Sequence, residues 1–214
     1  MNRPGISVVM VTRNEACRIR RCLESICWAD EIVIVDQSSE DDTAAICREY
    51  TDKVFVVANK GFCEPDRKEA VLRASNDWIL YLDADEVVSA QLREEICAAL
   101  GQAQAFRSFY IPRMNIFLGA WIKGSGWHPG YVLRLFERSS VSFSDEIHTD
   151  VLPRGSCGFL GQPIVHYTCE DIEEYVGKMN RYTGILAHQA YDKGVRFGRL
   201  AIALKIFFVP PAQF

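Results

Sequence analysis

Two aspartates, Asp83 and Asp85, come directly after the apolar run 79–82. An apolar run bounded by polar residues is typical of a buried strand in a parallel sheet. Charge at the carboxyl end of such a strand lies where open α/β sheets bind ligands. Carboxylate oxygens suit Mg²⁺ or Mn²⁺ and, through the metal, a phosphate group. The alternative is a solvated acidic turn that leads into the next helix.

Polar residues also follow two earlier predicted strands. The first strand leads to 12–15, and the second ends at Asp36. Because the carboxyl ends of parallel strands meet at one edge of a sheet, we expect these groups to converge with Asp83 and Asp85. Asp36 can accept a hydrogen bond from a base N–H or a ribose hydroxyl, and Arg13 and Arg67 can bind a diphosphate. One aspartate at a strand end is often only a helix cap, but the ordered set is stronger evidence.

The elements that must position these residues alternate between strand and helix through the first hundred residues. Strands are predicted at 6–11, 32–35, 54–57 and 79–82. Helices are predicted at 16–26, 43–50 and 65–74, and a fourth helix runs from its N-cap at Ser89 to residue 100. This alternation predicts the α/β fold class, with a doubly wound, mostly parallel sheet and right-handed crossovers.

The alternation stops after residue 105. Short strand-like pieces at 108–112, 132–136 and 164–167 predict a mixed, C-terminal portion of the sheet with long loops. Helical periodicity returns at 171–192 and predicts trailing helices. We therefore expect a Rossmann-like half at 1–105 that binds one substrate, a mixed region at 106–170 that binds a second substrate, and C-terminal helices at 171–214.

Composition excludes several classes of protein. The hydrophobic content of 49% and charged content of 24% are ordinary for a soluble globular protein, and the net charge of -4 argues against a nucleic-acid partner. The eight cysteines include no Cys-x-x-Cys pair, which predicts reduced residues in a cytoplasmic protein. We expect neither a signal peptide nor a membrane-spanning segment.

The end of the chain is strongly apolar between residues 197 and 209, and Arg196, Arg199 and Lys205 interrupt or flank this run. A basic, aromatic, amphipathic segment can lie in the lipid headgroup region. The alternative is a terminal helix packed on the core. The first interpretation predicts a peripheral location on the inner face of the cytoplasmic membrane.

Taken together, these motifs resemble those of the family 2 glycosyltransferases of GT-A fold, which transfer sugars from nucleotide donors with inversion. The matching motifs are 12–15, 35–39 with 42–43, 59–62 with Arg67, and 78–86. The segments 134–136, 147–148, 164–167 and 175–182 resemble the small bacterial subgroup that acts in lipopolysaccharide-core and related surface-glycan synthesis. The resemblance covers roughly residues 6–192.

The resemblance implies a nucleotide-sugar donor, a glycan or lipid-linked acceptor and a divalent metal cofactor, Mg²⁺ or Mn²⁺. The implied donor-binding residues are Thr12, Arg13, Asn14, Glu15, Asp36, Ser38, Gly61, Arg67 and Asp83. Asp85 and Asp83 are the implied metal ligands, and His166 is either a further ligand or a core histidine. The candidate acceptor-binding residues are Trp127, His128, Arg134 and His148, although the aromatic rings can equally fill a small core.

The catalytic base is open among three carboxylates. In the subgroup a glutamate typically follows the histidine, whereas here Thr149 and then Asp150 follow His148. Asp150 is narrowly favoured over Asp145 and Glu146. The implied mechanism is a single displacement, in which the base removes a proton from an acceptor hydroxyl that attacks the anomeric carbon.

Two alternative functions stay open. A phosphatase or phosphotransferase of the haloacid-dehalogenase type also places Asp-x-Asp after an apolar strand. It is disfavoured because the aspartates follow the fourth strand, and because Val87 stands where that family carries a threonine. A non-catalytic nucleotide-sugar-binding module is suggested by the missing glutamate after His148.

Overall fold

The computed structural model describes residues 3–59, 64–101, 105–124, 126–143, 151–195 and 198. The strands are β1 (Ile6–Thr12), β2 (Glu31–Asp36), β3 (Val54–Val56), β4 (Trp78–Leu82), β5 (Glu86–Val87), β6 (Ser108–Phe117), β7 (Ala120–Trp121), β8 (Gly130–Glu137), β9 (Val141–Ser142), β10 (Leu152–Pro153), β11 (Gly158–Phe159) and β12 (Ile164–Cys169). The helices are α1 (Ile19–Ile26), α2 (Thr43–Arg48), α3 (Glu64–Arg73), α4 (Ala90–Gly101) and α5 (Ile172–Asp192), with a 3₁₀ turn at Arg138–Ser140.

The main sheet has the strand order β3-β2-β1-β4-β8-β6-β12-β5. Strand β1 pairs in parallel with β2 and β4, and β2 pairs in parallel with β3. Strand β8 runs antiparallel to both β4 and β6, and β5 runs antiparallel to β12. The expected α/β class, a mostly parallel sheet continued by a mixed portion, is therefore confirmed.

Both faces of β1 are buried, which explains its largely apolar sequence. Ile6, Val8 and Met10 belong to one core cluster, whereas Val9 and Val11 belong to the other. Helix α1 covers the first face with its buried positions 19, 22, 23 and 26, which recur at helical spacing. Helix α3 contributes 70 and 71 to the second face, and residue 74, just after the helix, packs there as well. Full burial of each large aliphatic side chain contributes about 1.5–3 kcal/mol to folding.

Some boundaries differ from the expected ones. Helix α1 begins at Ile19, because Asn14 adopts a left-handed φ of 53° and the N–H of Ala16 donates to Asp41 Oδ2 at 3.1 Å. Strand β6 continues beyond its expected end at 112 to Phe117. The start of helix α4 agrees with the expectation, because Ser89 Oγ accepts from the Leu92 N–H at 3.1 Å as an N-cap.

The chain forms two compact units, and the three functional regions expected from the sequence stay a prediction. One unit comprises Met1–Met114 and Pro129–His166, and the other comprises Asn115–His128 and Tyr167–Phe214. The first unit includes much of 106–170 because β8 and the first part of β6 continue the sheet beyond β4.

The second unit is built on α5, β7 and the flanking segments. Asp171 caps α5, accepting from the Glu174 N–H at 2.7 Å. The ring of Phe117 meets those of Trp127 and Tyr175 edge-on. Among the described residues, none of the helices has the length and apolar content needed to cross a membrane. The basic, apolar end of the chain lies outside the described residues, apart from residue 198.

Candidate active site

A tight turn follows β4 and presents both aspartates. The Glu86 N–H donates to the Asp83 carbonyl at 3.0 Å, and Glu86 Oε2 accepts from the Asp83 N–H at 3.0 Å. The Cys22 thiol, on α1, donates to the same Asp83 carbonyl at 3.6 Å. Burial and the charges of the nearby carboxylates raise the pKa of Cys22, so this thiol stays protonated as a donor.

Two arginines from neighbouring strands bind the carboxylates of this turn. Arg134 on β8 donates to Asp83 Oδ2 and, at 2.9 Å, to Glu86 Oε1. Arg113 on β6 lies 2.8 Å from Glu86 Oε1 and 3.8 Å from Asp83 Oδ2. Each arginine therefore contacts both carboxylates, so two positive charges lie against the two negative charges of Asp83 and Glu86.

These charges set the protonation of Asp83. Burial alone would raise the pKa of Asp83, but the positive charges of Arg134, Arg67 and Arg113 outweigh that effect and lower the pKa well below its ordinary range. Burial would likewise lower the pKa of Arg134, but Asp83 and Glu86 raise it. Asp83 is therefore an ionised carboxylate and Arg134 a permanent cation.

Tyr81 lies close to two of the cations. The guanidinium carbons of Arg67 and Arg134 each lie 5.0 Å from the centroid of the Tyr81 ring, within range of a cation–π interaction. The Nε of Arg67 also donates to the Tyr81 hydroxyl at 3.1 Å. The buried tyrosine thus positions Arg67, which lies on α3, near the carboxyl end of β4.

The second aspartate lies beside a histidine. Oδ2 of Asp85 is 3.3 Å from Nε2 of His166, and the backbone of His166 pairs with Glu86 across β5 and β12. No group of three or more His, Cys, Asp or Glu side chains within the described ranges is arranged as a complete metal site. The Asp85–His166 pair nevertheless fits a divalent cation, because two ligands of one ion with bonds of about 2.1 Å lie about 3 Å apart.

The ends of β1 and β2 bring four of the expected donor-binding residues together. Thr12 and Asp36 are register partners, and each is 1% exposed. Asp36 accepts from the Ser39 N–H at 2.9 Å, while Asn14 Oδ1 accepts from the Glu40 N–H at 2.8 Å. Ser38 has a φ of 52° and donates to the Val57 carbonyl at 2.7 Å.

One buried polar atom at this edge is available to a ligand. The hydroxyl of Thr12 has no hydrogen-bond partner within the described part of the chain. A buried hydroxyl is costly unless something bonds to it, so Thr12 offers a hydrogen bond to an ordered water or a polar ligand at the ends of β1 and β2. Of the other expected donor residues, Glu15 pairs with Arg18 at 3.6 Å, and its N–H donates to Thr43 Oγ1 at 2.8 Å. Arg13 pairs with Glu40 at 3.1 Å.

The structure leaves several expected site residues without a test. Gly61, Asp145, Glu146, His148 and Asp150 lie outside the described residues. Trp127 and His128 belong to the second unit, where His128 meets the ring of Trp121 edge-on with centroids 5.1 Å apart. Arg134 contacts Asp83 and Glu86, and its acceptor-binding role stays a prediction.

Three residues of the site were not among the sequence-based candidates: Tyr81, Glu86 and Arg113. Two of them carried a signal in the sequence. Glu86 is the third carboxylate of the acidic run, and Arg113 is a charge inside the otherwise largely apolar β6. A charged residue in a buried strand requires a partner, and that requirement points to a charge cluster.

The fold and the site together define an α/β domain with acidic and basic groups gathered at the carboxyl edge of its parallel strands. The chain matches the family model described as Glycosyl transferase family 2 over residues 7–141, so it belongs to that family. This assignment favours glycosyl transfer over the phosphatase alternative.

Curated relatives extend the comparison over nearly the whole chain. The chain is 29% identical to an uncharacterized glycosyltransferase, RT0209, of Rickettsia typhi, and the match covers 95% of this chain and 76% of the relative. It is 26% identical to the lipopolysaccharide core biosynthesis glycosyltransferase LpsC of Rhizobium meliloti, covering 98% of this chain and 78% of that protein.

Solved structures confirm the GT-A type of fold. The crystal structure of S. aureus TarS 1-349 in complex with UDP-GlcNAc aligns with a TM-score of 0.60 at 17% identity, covering 78% of this chain. Mannosyl-3-phosphoglycerate synthase from Rubrobacter xylanophilus aligns with a TM-score of 0.54 at 14% identity, covering 92% of this chain and 77% of that one. This chain spans 59% of the TarS chain.

Proposed function

We propose that this chain is an inverting glycosyltransferase that moves a sugar from a UDP-linked donor to a hydroxyl of a lipid-linked or surface-glycan acceptor. The observation that carries the proposal is the ionised Asp83, held with Asp85 in a turn at the carboxyl end of β4 and surrounded by Arg67, Arg113 and Arg134. The names of the relatives support it, since LpsC is a lipopolysaccharide-core enzyme and TarS was crystallised with UDP-GlcNAc.

In this proposal the nucleoside lies at the ends of β1 and β2. The buried hydroxyl of Thr12 forms a hydrogen bond with the donor, and Asp36 accepts from its base or ribose. Arg67, positioned by Tyr81, pairs with the diphosphate, because a guanidinium binds phosphate oxygens through several N–H groups at once.

The proposed metal ligands are Asp85 and His166, with Asp83 oriented toward the donor by Arg134. When bound, a divalent cation supplies positive charge that stabilises the departing diphosphate. The protein's own task is to hold the two ligands at the observed 3.3 Å separation and to keep Asp83 ionised.

The proposed base is Asp150, with Asp145 and Glu146 as the alternatives. Its carboxylate takes the proton from the acceptor hydroxyl, whose oxygen attacks the anomeric carbon from the side opposite the leaving diphosphate. One displacement of this kind inverts the anomeric configuration. A carboxylate base within hydrogen-bond reach contributes about a hundredfold to ten-thousandfold in rate.

A two-stage experiment tests the proposal. Thermal unfolding is first measured with nucleoside diphosphates and their sugars, with and without Mn²⁺, because a ligand that binds the folded state raises the melting temperature. Radiolabelled donors that produce a shift are then incubated with lipid-linked and core-oligosaccharide acceptors. Transfer with inverted anomeric configuration supports the proposal. Tight donor binding without transfer to any acceptor would favour the non-catalytic module.

The proposed location is the inner face of the cytoplasmic membrane. Arg196, Arg199 and Lys205 lie within or beside the apolar segment, and this composition suits an anionic lipid surface. Flotation with anionic vesicles should recover the full chain but not a chain that ends at residue 195. Equal recovery of both chains, or of neither, would contradict this location.

A further inference from the structure

Glu86 is a fully buried carboxylate that is 0% exposed and makes charged or polar contacts through both oxygens. Oε1 accepts from Arg134 at 2.9 Å and lies 2.8 Å from the Nη2 of Arg113. Oε2 accepts from the Asp83 N–H at 3.0 Å. Any buried carboxylate requires partners such as these, so the pairing alone indicates no function. The function is indicated by which residues the partners are. All three belong to the candidate site.

The backbone of Glu86 reaches a fourth site residue. Strand β5 pairs antiparallel with β12, and in this ladder Glu86 lies opposite His166 while Val87 lies opposite Val165. One residue therefore joins the turn that carries Asp83 and Asp85 to the strand that carries His166. The same residue also joins that turn to the two arginine strands, β6 and β8.

We propose, on the basis of the proposed function, that Glu86 is a positioning residue that fixes the separation of Asp85 and His166. It also keeps Arg113 and Arg134 shared between its own carboxylate and that of Asp83. Without the Glu86 charge, both guanidiniums are drawn to Asp83, because Asp83 is the other carboxylate they contact. The turn then loses the bond between the Asp83 N–H and Glu86. Asp85 lies on that turn, so its position relative to His166 changes with it.

Glu86→Gln tests the charge directly. Glutamine has the same length but replaces one acceptor oxygen with an amide NH₂, which faces either the arginines or the Asp83 N–H and satisfies neither. We expect the affinity for UDP in the presence of Mn²⁺, measured by calorimetry, to fall about tenfold, and kcat to fall about tenfold as well. Glu86→Asp, which keeps the charge, should recover part of both losses.

The matched control is Glu31→Gln at the opposite end of the sheet. Glu31 has a side chain that is 7% exposed, and it pairs with Lys53. It also accepts from the Ser75 N–H at 2.7 Å. Glu31 is therefore another buried, ion-paired and hydrogen-bonded glutamate, but it lies at the start of β2. Its substitution should lower the melting temperature while kcat and the affinity for UDP stay within twofold of the wild type.

A spectroscopic measurement covers the case in which Glu86→Gln does not fold. The chain has four histidines, so imidazole ¹H–¹⁵N spectra of the Glu86→Asp variant can be assigned individually. A positioning role requires the His166 signals to shift while those of His188, in α5, stay in place. Unchanged His166 signals and an unchanged affinity for UDP in this variant would overturn the inference.

The outcomes separate this inference from the proposed function. Wild-type protein that binds no nucleotide would overturn both. Wild-type protein that binds UDP with the same affinity as Glu86→Gln would overturn the positioning role alone. Parallel losses of activity in Glu86→Gln and Glu31→Gln, in proportion to their melting temperatures, would also overturn it, because a purely structural carboxylate behaves in that way.

Discussion

Nε2 of His166 lies 3.3 Å from Oδ2 of Asp85, although the two residues belong to separate segments of the first unit. The pairing of β5 with β12 produces this proximity, because it places His166 opposite the residue that follows Asp85. Both side chains are mostly buried, with exposures of 15% and 18%. A buried histidine–carboxylate pair at the edge of the sheet is consistent with shared ligation of one cation.

We predict that Asp85→Asn and His166→Gln each raise the Mn²⁺ concentration needed for half-maximal transfer by about tenfold or more, because each removes a proposed metal ligand. Activity should be measured over a Mn²⁺ titration at saturating donor. His188→Gln, in the exposed part of α5, is the control and should behave as the wild type. Wild-type Mn²⁺ dependence in both site variants would remove the metal-binding assignment of this pair.

Tyr81→Phe isolates the hydrogen bond between the tyrosine hydroxyl and Arg67, since the ring remains to stack on both guanidiniums. We expect the affinity for UDP to weaken about tenfold, or about 1.4 kcal/mol, because a hydrogen bond to a charged group contributes an energy of this order. Calorimetry provides the measurement.

A matched control for this tyrosine lies between α1 and the end of α2. The hydroxyl of Tyr50 accepts from Arg20 at 3.3 Å, in an equivalent tyrosine–arginine contact remote from the β4 turn. Tyr50→Phe should leave the affinity for UDP unchanged. Equal effects of the two substitutions would show that the loss at Tyr81 is not specific to the site.

The pH dependence of stability should reveal the ion pair at Glu31. Burial would raise the pKa of this group, but Lys53, Ser7 and Ser75 lower it from 4.5 to about 2. A lowered pKa in the folded state stabilises the protein above pH 4.5, and the contribution is lost as the pH falls toward 2. We expect wild type to exceed Glu31→Gln by about 2 kcal/mol in unfolding free energy at pH 7.

Denaturant unfolding between pH 7 and pH 3 checks the prediction. The difference in unfolding free energy between wild type and Glu31→Gln should shrink as the pH falls below 4.5. In this pH range the glutamate takes up a proton, whereas the glutamine does not titrate. A difference that is constant across this range would mean that packing, rather than charge, accounts for the effect of the substitution.

The first half of the fold could be predicted from local patterns. Strands such as β1 and β4 are largely apolar because both of their faces are buried, and α4 begins where Ser89 caps it. Charged residues at the strand ends located the edge of the sheet that carries the candidate site. These signals depend on residues close together in the sequence.

The arrangement of charges around the turn could not be predicted in the same way. Arg113 and Arg134 reach Glu86 only because β8 inserts antiparallel between β4 and β6, and no local pattern encodes that order of strands. The start of α1 was misplaced for a related reason, since Asp41 from another segment accepts the Ala16 N–H and holds it outside the helix.

The assignment of the catalytic base depends on a difference from the resembled subgroup. There a glutamate typically follows the histidine, whereas here Thr149 and then Asp150 follow His148. We expect Asp150→Asn to lower kcat about a hundredfold or more, since a positioned carboxylate contributes at least that much to proton removal. The affinity for UDP should stay unchanged, because the proposed base acts on the acceptor. Asp145→Asn and Glu146→Gln serve as matched substitutions in the same segment. A large loss of kcat in either of them, with near wild-type turnover in Asp150→Asn, would move the assignment to that residue.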